Sequence, residues 1–251
     1  VVSDVHGSVE ALARAGDGAD VLVCLGDLVL FVDYEDSSGG IFAELFGAAN
    51  AERLVALRTA RRFDDARAFS RQLWGSLDGD PREVLEAAVR AQYAELFAAM
   101  PEPAYLTYGN VDLPALWPDY LRPGHTVLDG EVVEIGGRTW GFVGGGLQTA
   151  MRTPYEIDDE TYAAKVAAVG AVDVLACHIP PDVPGLLYDV QARRFERGSA
   201  AVLDAIRDTA PGLVLFGHVH QPLRSRVRIG RTECVNVGHF RGGGTPWVLE
   251  Y

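Results

Sequence analysis

The sequence predicts an α/β fold in which buried strands alternate with helices and one helical block is inserted between two strands. Three observations predict it. Short apolar runs recur and stop at a polar residue or glycine: "VLVCLGD" (21–27), "AYLTYGN" (104–110), "VDVLACH" (172–178) and "LVLFGHVH" (213–220). Runs this short, bounded by turn residues, fit strands buried on both faces of a sheet. Helical spacing fills the intervals, and from Ile41 to Met100 it is almost unbroken.

Taken in order, Val1-Val2-Ser3 reads as the remainder of a first strand, with a short natural N-terminal stretch expected ahead of it. "SVEALARAG" follows as a helix. The block at 41–100 reads as an insertion within a single domain spanning 1–251, its last helix starting at Asp80-Pro81, where proline suits the first helical position. Its expected role is a structural cap or a homodimer surface, the alternative being a lid over a substrate pocket. "EVVEIGGRTWGFVGG" (131–145) is a hairpin turned at Gly136-Gly137. "GSAAVLDAIRDTAP" (198–211) is a helix that starts at Ser199 and stops at Pro211. "RSRVRIGRTECVNVG" is a second hairpin, turned at Ile229-Gly230, and "PWVLEY" a final strand.

Composition narrows the function classes. The chain has 251 residues, 48% hydrophobic and 23% charged, which suits a globular protein with a sizeable core. No apolar stretch approaches the roughly 20 residues that span a bilayer, and the start shows no signal-peptide pattern. Cys24, Cys177 and Cys234 sit in apolar runs, an odd number without framework spacing, so reduced thiols and a cytoplasmic setting are expected. A net charge of −13 argues against non-specific nucleic-acid binding. It is compatible with a small anionic substrate, because a bound metal reverses the local field.

The strand ends carry the chemistry. "SDVHG" places Asp4 and His6 two residues apart, pointing the same way in an extended segment. "LGD" offers Asp27, "YGNVD" offers Asn110, "ACHIPP" offers His178, and "GHVH" offers His218 and His220. Each alone has a plain structural reading as a cap, a turn residue or a hydrogen-bonded histidine. Together, five strand ends deliver oxygen or nitrogen ligands and none a thiolate. That set is too large for one tetrahedral site and suits two divalent ions about 3.5–4 Å apart. Mixed imidazole, carboxylate and amide favour Mn, Fe, Ni, Co or Zn over Mg or Ca.

The order "SDVHG … GD … GN … H … GHVH", from Ser3 to His220, resembles the calcineurin-like metallophosphoesterases. The resemblance implies a four-layer αββα sandwich of two mixed sheets with a dimetal centre at the strand ends. It implies that Asp4, His6, Asp27 and His220 hold the first ion. Asp27 would then bridge to a second, held also by Asn110, His178 and His218. It further implies hydrolysis of a phosphate ester by a metal-bridging hydroxide.

Many members read GNH at the third block, where the histidine helps protonate the leaving group; here Val111 stands in its place. General acid help is worth about 10²–10⁴-fold, so phosphodiesters or activated esters are favoured over alkyl monoesters. His239, in "NVGHFRGGG", is the candidate to contact the phosphate or donate a proton, and Arg152 the candidate substrate contact. Arg224, Arg226 and Arg228 alternate on what reads as a solvated strand face, and His125 has turn context alone. The alternatives are a non-catalytic metal-bearing scaffold of the same fold, or a nucleotidase or phosphomonoesterase. The intact ligand set favours an enzyme over the scaffold. A protein phosphatase is disfavoured because "GDLVLFVD" lacks the arginine of the usual second block.

Overall fold

The computed structural model describes residues 1–250. Two sheets form its centre. One is a parallel sheet of β1 (Leu22–Cys24), β2 (Ala104–Leu106) and β3 (His125–Val127), with Val2 bridged in parallel to Cys24 at its edge. The other is mixed and six-stranded. Its order is β12 (Arg226–Ile229), β13 (Thr232–Asn236), β11 (Leu213–Phe216), β8 (Val174–Cys177), β5 (Arg138–Val143), β4 (Glu131–Ile135). Its four inner strands run parallel and its two edge strands antiparallel.

Strand alternation builds the layers, since successive side chains take opposite faces. In β1, Val23 joins the core between the sheets while Leu22 and Cys24 face the other way. In β11, Leu215 points between the sheets while Val214 and Phe216 face α6 (Asp159–Val169) and α8 (Ala200–Thr209). The first sheet's outer face packs on α1 (Val9–Leu12) and α5 (Pro81–Ala99). Helix, sheet, sheet and helix therefore lie in succession. Ser199 caps α8, its Oγ accepting from Val202 N at 3.2 Å.

Between β1 and β2 run α2 (Ile41–Phe46), α3 (Ala48–Thr59), α4 (Phe63–Trp74) and then α5, capped by Asp80 ahead of Pro81. They do not form one unit. Val89, Tyr93, Leu96 and Phe97 of α5 make a stripe at helical spacing that is buried in the main core. Helices α3 and α4 share with Phe42 of α2 a small core around Val32, Leu54, Ala66 and Phe69. The remaining elements are short: the ladders β6 (Gly146–Leu147) with β7 (Glu156–Ile157) and β9 (Tyr188–Asp189) with β10 (Arg194–Phe195), and the helices α7 (Pro184–Leu187) and α9 (Phe240–Gly243).

Two sequence expectations are corrected. The β12–β13 turn lies one residue later than expected, at Gly230-Arg231, because Ile229 pairs with Thr232 and Gly230 takes the positive φ of 57°. "PWVLEY" is no strand among its described residues. Val1 and Trp247 exchange backbone bonds of 2.6 and 2.9 Å, but Pro246 has no N–H to extend the ladder and Val248 is 68% exposed. Tyr251 lies outside the described residues. The β4–β5 hairpin turns at Gly136-Gly137, both with positive φ, as expected. The three thiols are buried and unpaired.

Candidate metal centre

The inner strands are parallel, so their carboxyl ends gather at one rim, where open α/β sheets place their chemistry. The loops after β1, β2, β8 and β11 meet there with residues 3–7. Asp4 N donates to Gly26 O at 3.0 Å, His6 N to Asp27 O at 2.9 Å and Gly7 N to Leu28 O at 2.9 Å, which lays the first loop alongside the second.

The expected extended segment at Asp4 and His6 is corrected. Asp4 (φ 56°) and His6 (φ 41°) are left-handed, as are Asp27 (φ 55°) and His218 (φ 66°). Each such conformation costs a non-glycine residue about 1–2 kcal/mol, and concentrations of this kind mark sites where surrounding contacts dictate the backbone. Two neighbouring glycines are required by close approach. A Cβ on Gly26 would lie 1.9 Å from Gly109 N, and one on Gly217 would lie 2.0 Å from Ser3 Oγ and 2.2 Å from Asp4 Oδ2.

The seven predicted strand-end residues come together in two groups. In the first, His220 Nε2 lies 3.3 Å from both Asp4 Oδ1 and His6 Nε2, and His6 Nε2 lies 3.8 Å from Asp27 Oδ2. In the second, Asn110 Oδ1 lies 3.0 Å from His178 Nε2 and 2.9 Å from His218 Nδ1, and His178 Nε2 lies 3.4 Å from Asp27 Oδ2. Asp27 Oδ2 thus faces both groups. The Nδ1 atoms of His6 and His178 meet backbone carbonyls, Val29 O at 3.0 Å and Leu25 O at 2.9 Å. A ring that donates from Nδ1 turns its Nε2 lone pair inward.

Electrostatics decides what this rim accepts. Burial would raise the Asp4 carboxyl, yet His220 holds it well below the ordinary range. Burial would likewise lower His178, yet Asp27 lifts it to about 9. Burial dominates at His6 and His218 and pushes both down. Asp4 Oδ1 is buried with no hydrogen bond of good geometry, facing ring nitrogens instead. Inward oxygens and nitrogens with unused lone pairs are a donor set that divalent cations satisfy, and the residues fit two of them.

Sequence reading overlooked two residues. Asp112 is fully buried; its Oδ2 accepts from Asp27 N and Gly109 N, both at 2.8 Å, and its Oδ1 from Leu28 N at 3.0 Å and Tyr93 Oη at 3.3 Å. One carboxylate therefore clamps the Asp27 loop to the Asn110 loop, and burial, then Asp27, pushes its pKa up to about 6. Its signal was present in "YGNVD", one residue beyond Val111. Thr153 is the second, its Oγ1 accepting from Asn110 Nδ2 at 3.0 Å.

Of the other candidates, His239 stacks on His220, whereas Arg152 is exposed and makes no hydrogen bond or ion pair among the described residues. Arg226 and Arg228 stand exposed on β12, Arg226 paired with Glu233 at 3.1 Å. His125 lies on β3, half-facing Phe97 in the outer core. The Val111 side chain is half-buried against the main core and carries no proton that a leaving group could take.

Comparison with curated proteins finds no match. Two crystal structures share the fold. One aligns with a TM-score of 0.58 at 15% identity, over 96% of this chain and 90% of its own. The other, TT1561 of Thermus thermophilus, aligns with a TM-score of 0.52 at 16% identity, over 96% and 89%. A family model described as calcineurin-like phosphoesterase matches residues 1–222, a span that takes in every one of the converging residues from Asp4 to His220. With the rim built this way and the match covering most of its length, the chain belongs to the calcineurin-like phosphoesterase family.

Proposed function

We propose that this protein hydrolyses a small phosphate ester, with phosphodiesters favoured, using two divalent ions. The carrying observation is that two inward-facing donor groups share Asp27 Oδ2. In this reading Asp4, His6, Asp27 and His220 hold the first ion, and Asp27, Asn110, His178 and His218 the second. When bound, the pair supplies an activated water and neutralises charge on the phosphate oxygens.

The chain's own residues fix the geometry. The carbonyls of Val29 and Leu25 orient His6 and His178. Asp27 Oδ1 accepts from Val111 N at 2.9 Å, so Oδ2 is the oxygen left to face both groups. Val111 offers no proton to a leaving group, which supports the preference for diesters and activated esters. Manganese heads the metals to be tried, with Fe, Ni, Co and Zn behind it, and the buried thiols suit a cytoplasmic setting.

The test is turnover of bis-p-nitrophenyl phosphate and p-nitrophenyl phosphate after reconstitution with each metal, for wild type and Asp27→Asn. Turnover that depends on a transition metal, collapses in the variant and favours the diester is the expected result. A protein that binds two ions and turns over neither ester would instead be a scaffold. A large monoester preference would remove the diester assignment alone.

A further inference from the structure

The loop carrying His239 is fastened to the segment that carries Asp4 and His6. Phe240 N donates to Ser3 O at 3.0 Å, and Arg241 N to Asp4 O at 3.1 Å. The Arg241 guanidinium reaches His6 O at 2.9 Å and pairs with the Asp33 carboxylate. Phe240 is buried in the same core as Val2 and Val5. His239 is thereby held face to face on His220, ring centroids 3.9 Å apart and planes 6° from parallel, and edge-on to His6 at 5.7 Å. Its Nε2 is buried, and no hydrogen bond reaches it.

One ring donor from each of His6, His220 and His239 lies within 4.8 Å of the others, which by distance alone would suit a shared ion. The stack forbids that arrangement. An imidazole holds an ion along a nitrogen lone pair, which lies in the plane of its ring. Two rings stacked face to face have no in-plane point in common. Were His220 to hold an ion in its ring plane, His239 could not share it, and the buried Nε2 of His239 would stay without a partner.

We infer that His239 is a catalytic residue, donating a hydrogen bond from its ring to a non-bridging oxygen of the bound phosphoester. This rests on the phosphoesterase reading above. Whatever its charge, an imidazole carries at least one N–H, and a fixed donor aimed at developing negative charge is worth about 10²–10³-fold in kcat. No covalent step is added: the hydrogen bond stabilises charge that the hydrolysis itself develops.

The test uses the full chain loaded with Co²⁺, comparing wild type, His239→Phe and His239→Gln. Phenylalanine keeps the stacked face and removes both nitrogens; glutamine restores an N–H. The readouts are Co²⁺ stoichiometry and visible absorption, affinity for inorganic phosphate by calorimetry, and turnover of bis-p-nitrophenyl phosphate. Melting temperature reports whether each variant folds. His239→Phe is expected to keep both ions with an unchanged spectrum. Its phosphate affinity should weaken about tenfold and its kcat fall about 10²-fold, with partial recovery in His239→Gln. Unchanged phosphate affinity and kcat would overturn the assignment, and so would an altered Co²⁺ spectrum, which would make His239 a ligand. A wild type that binds no Co²⁺ would defeat the phosphoesterase reading itself, a different and separable result.

Discussion

Replacing Asp112 with alanine removes the acceptor for three buried backbone donors, Asp27 N, Leu28 N and Gly109 N. Each orphaned donor costs about 1–3 kcal/mol, so the gross loss is about 3–9 kcal/mol. One effect opposes it. Burial and the nearby Asp27 hold the Asp112 carboxyl at about 6 against an ordinary 3.8. That is about two pH units, and its removal returns about 3 kcal/mol in the metal-free protein at neutral pH. The net expectation is a loss of about 0–6 kcal/mol, centred near 3 kcal/mol. Urea unfolding of the metal-free protein at pH 7 measures it, read as a shift in midpoint at constant slope. Ions on Asp27 would shield its repulsion, so the gap between wild type and variant should widen when metal is added. Asp112→Asn should fall between the two. It keeps the shape and one acceptor oxygen, but turns an amide N–H₂ towards backbone N–H groups. Stabilisation of Asp112→Ala by more than about 0.5 kcal/mol, the scale of an ordinary surface substitution, would refute the reasoning.

Three further outcomes are expected. Gly217→Ala would drive a Cβ to within 2.2 Å of Asp4 Oδ2; displaced Asp4 should weaken the first Co²⁺ at least tenfold in titration, with overpacking costing about 1–3 kcal/mol of stability. Metal binding should release protons, because Asp27 holds His178 at about 9 against the opposing effect of burial and a ligand ring must be neutral. The apparent Kd for Co²⁺ should therefore weaken by about tenfold per pH unit below 9 for each proton displaced, and a pH-independent Kd would contradict it. Burial, then Arg122, lowers the pKa of His125 below its ordinary 6.5. The unfolded chain then binds more protons there as pH falls through 6.5, so stability declines towards acid until the folded ring also titrates. Urea midpoints of His125→Phe should lose that part of the slope.

The residues that converge at the rim were legible because each lies in a short local pattern, an apolar run ending on a polar residue, and the parallel order of the strands does the rest. The route to Asp4 and His6 was not. Alternation in an extended strand would aim both inward, whereas the chain does so through two left-handed residues dictated by hydrogen bonds to Gly26 and Asp27. Asp112 was hidden for a different reason. Its work is done on Asp27, 85 residues away, and closure over such a distance leaves no local periodicity to read. Helix α5 looked continuous with the insertion because propensity says where a helix is and not which core its stripe faces. The "PWVLEY" expectation failed where β-propensity met a proline and a pairing with Val1 confined to Trp247.

The division of the inserted helices has a consequence for how the molecule breathes. Gln92 and Tyr93 of α5 hydrogen-bond to the loop after β1 and to Asp112, so that helix is tied to the rim. Helices α3 and α4 rest on a small core shared with Phe42 of α2, whereas Ile41 and Leu45 of α2 pack into the main core. Native-state amide exchange should then show two tiers, with α5 protected to the level of the central sheets and α3–α4 opening at lower free energy as a separate unit. Residues 48–74 would behave as an exchangeable cassette, free to diverge in sequence or be replaced while the rim keeps its shape.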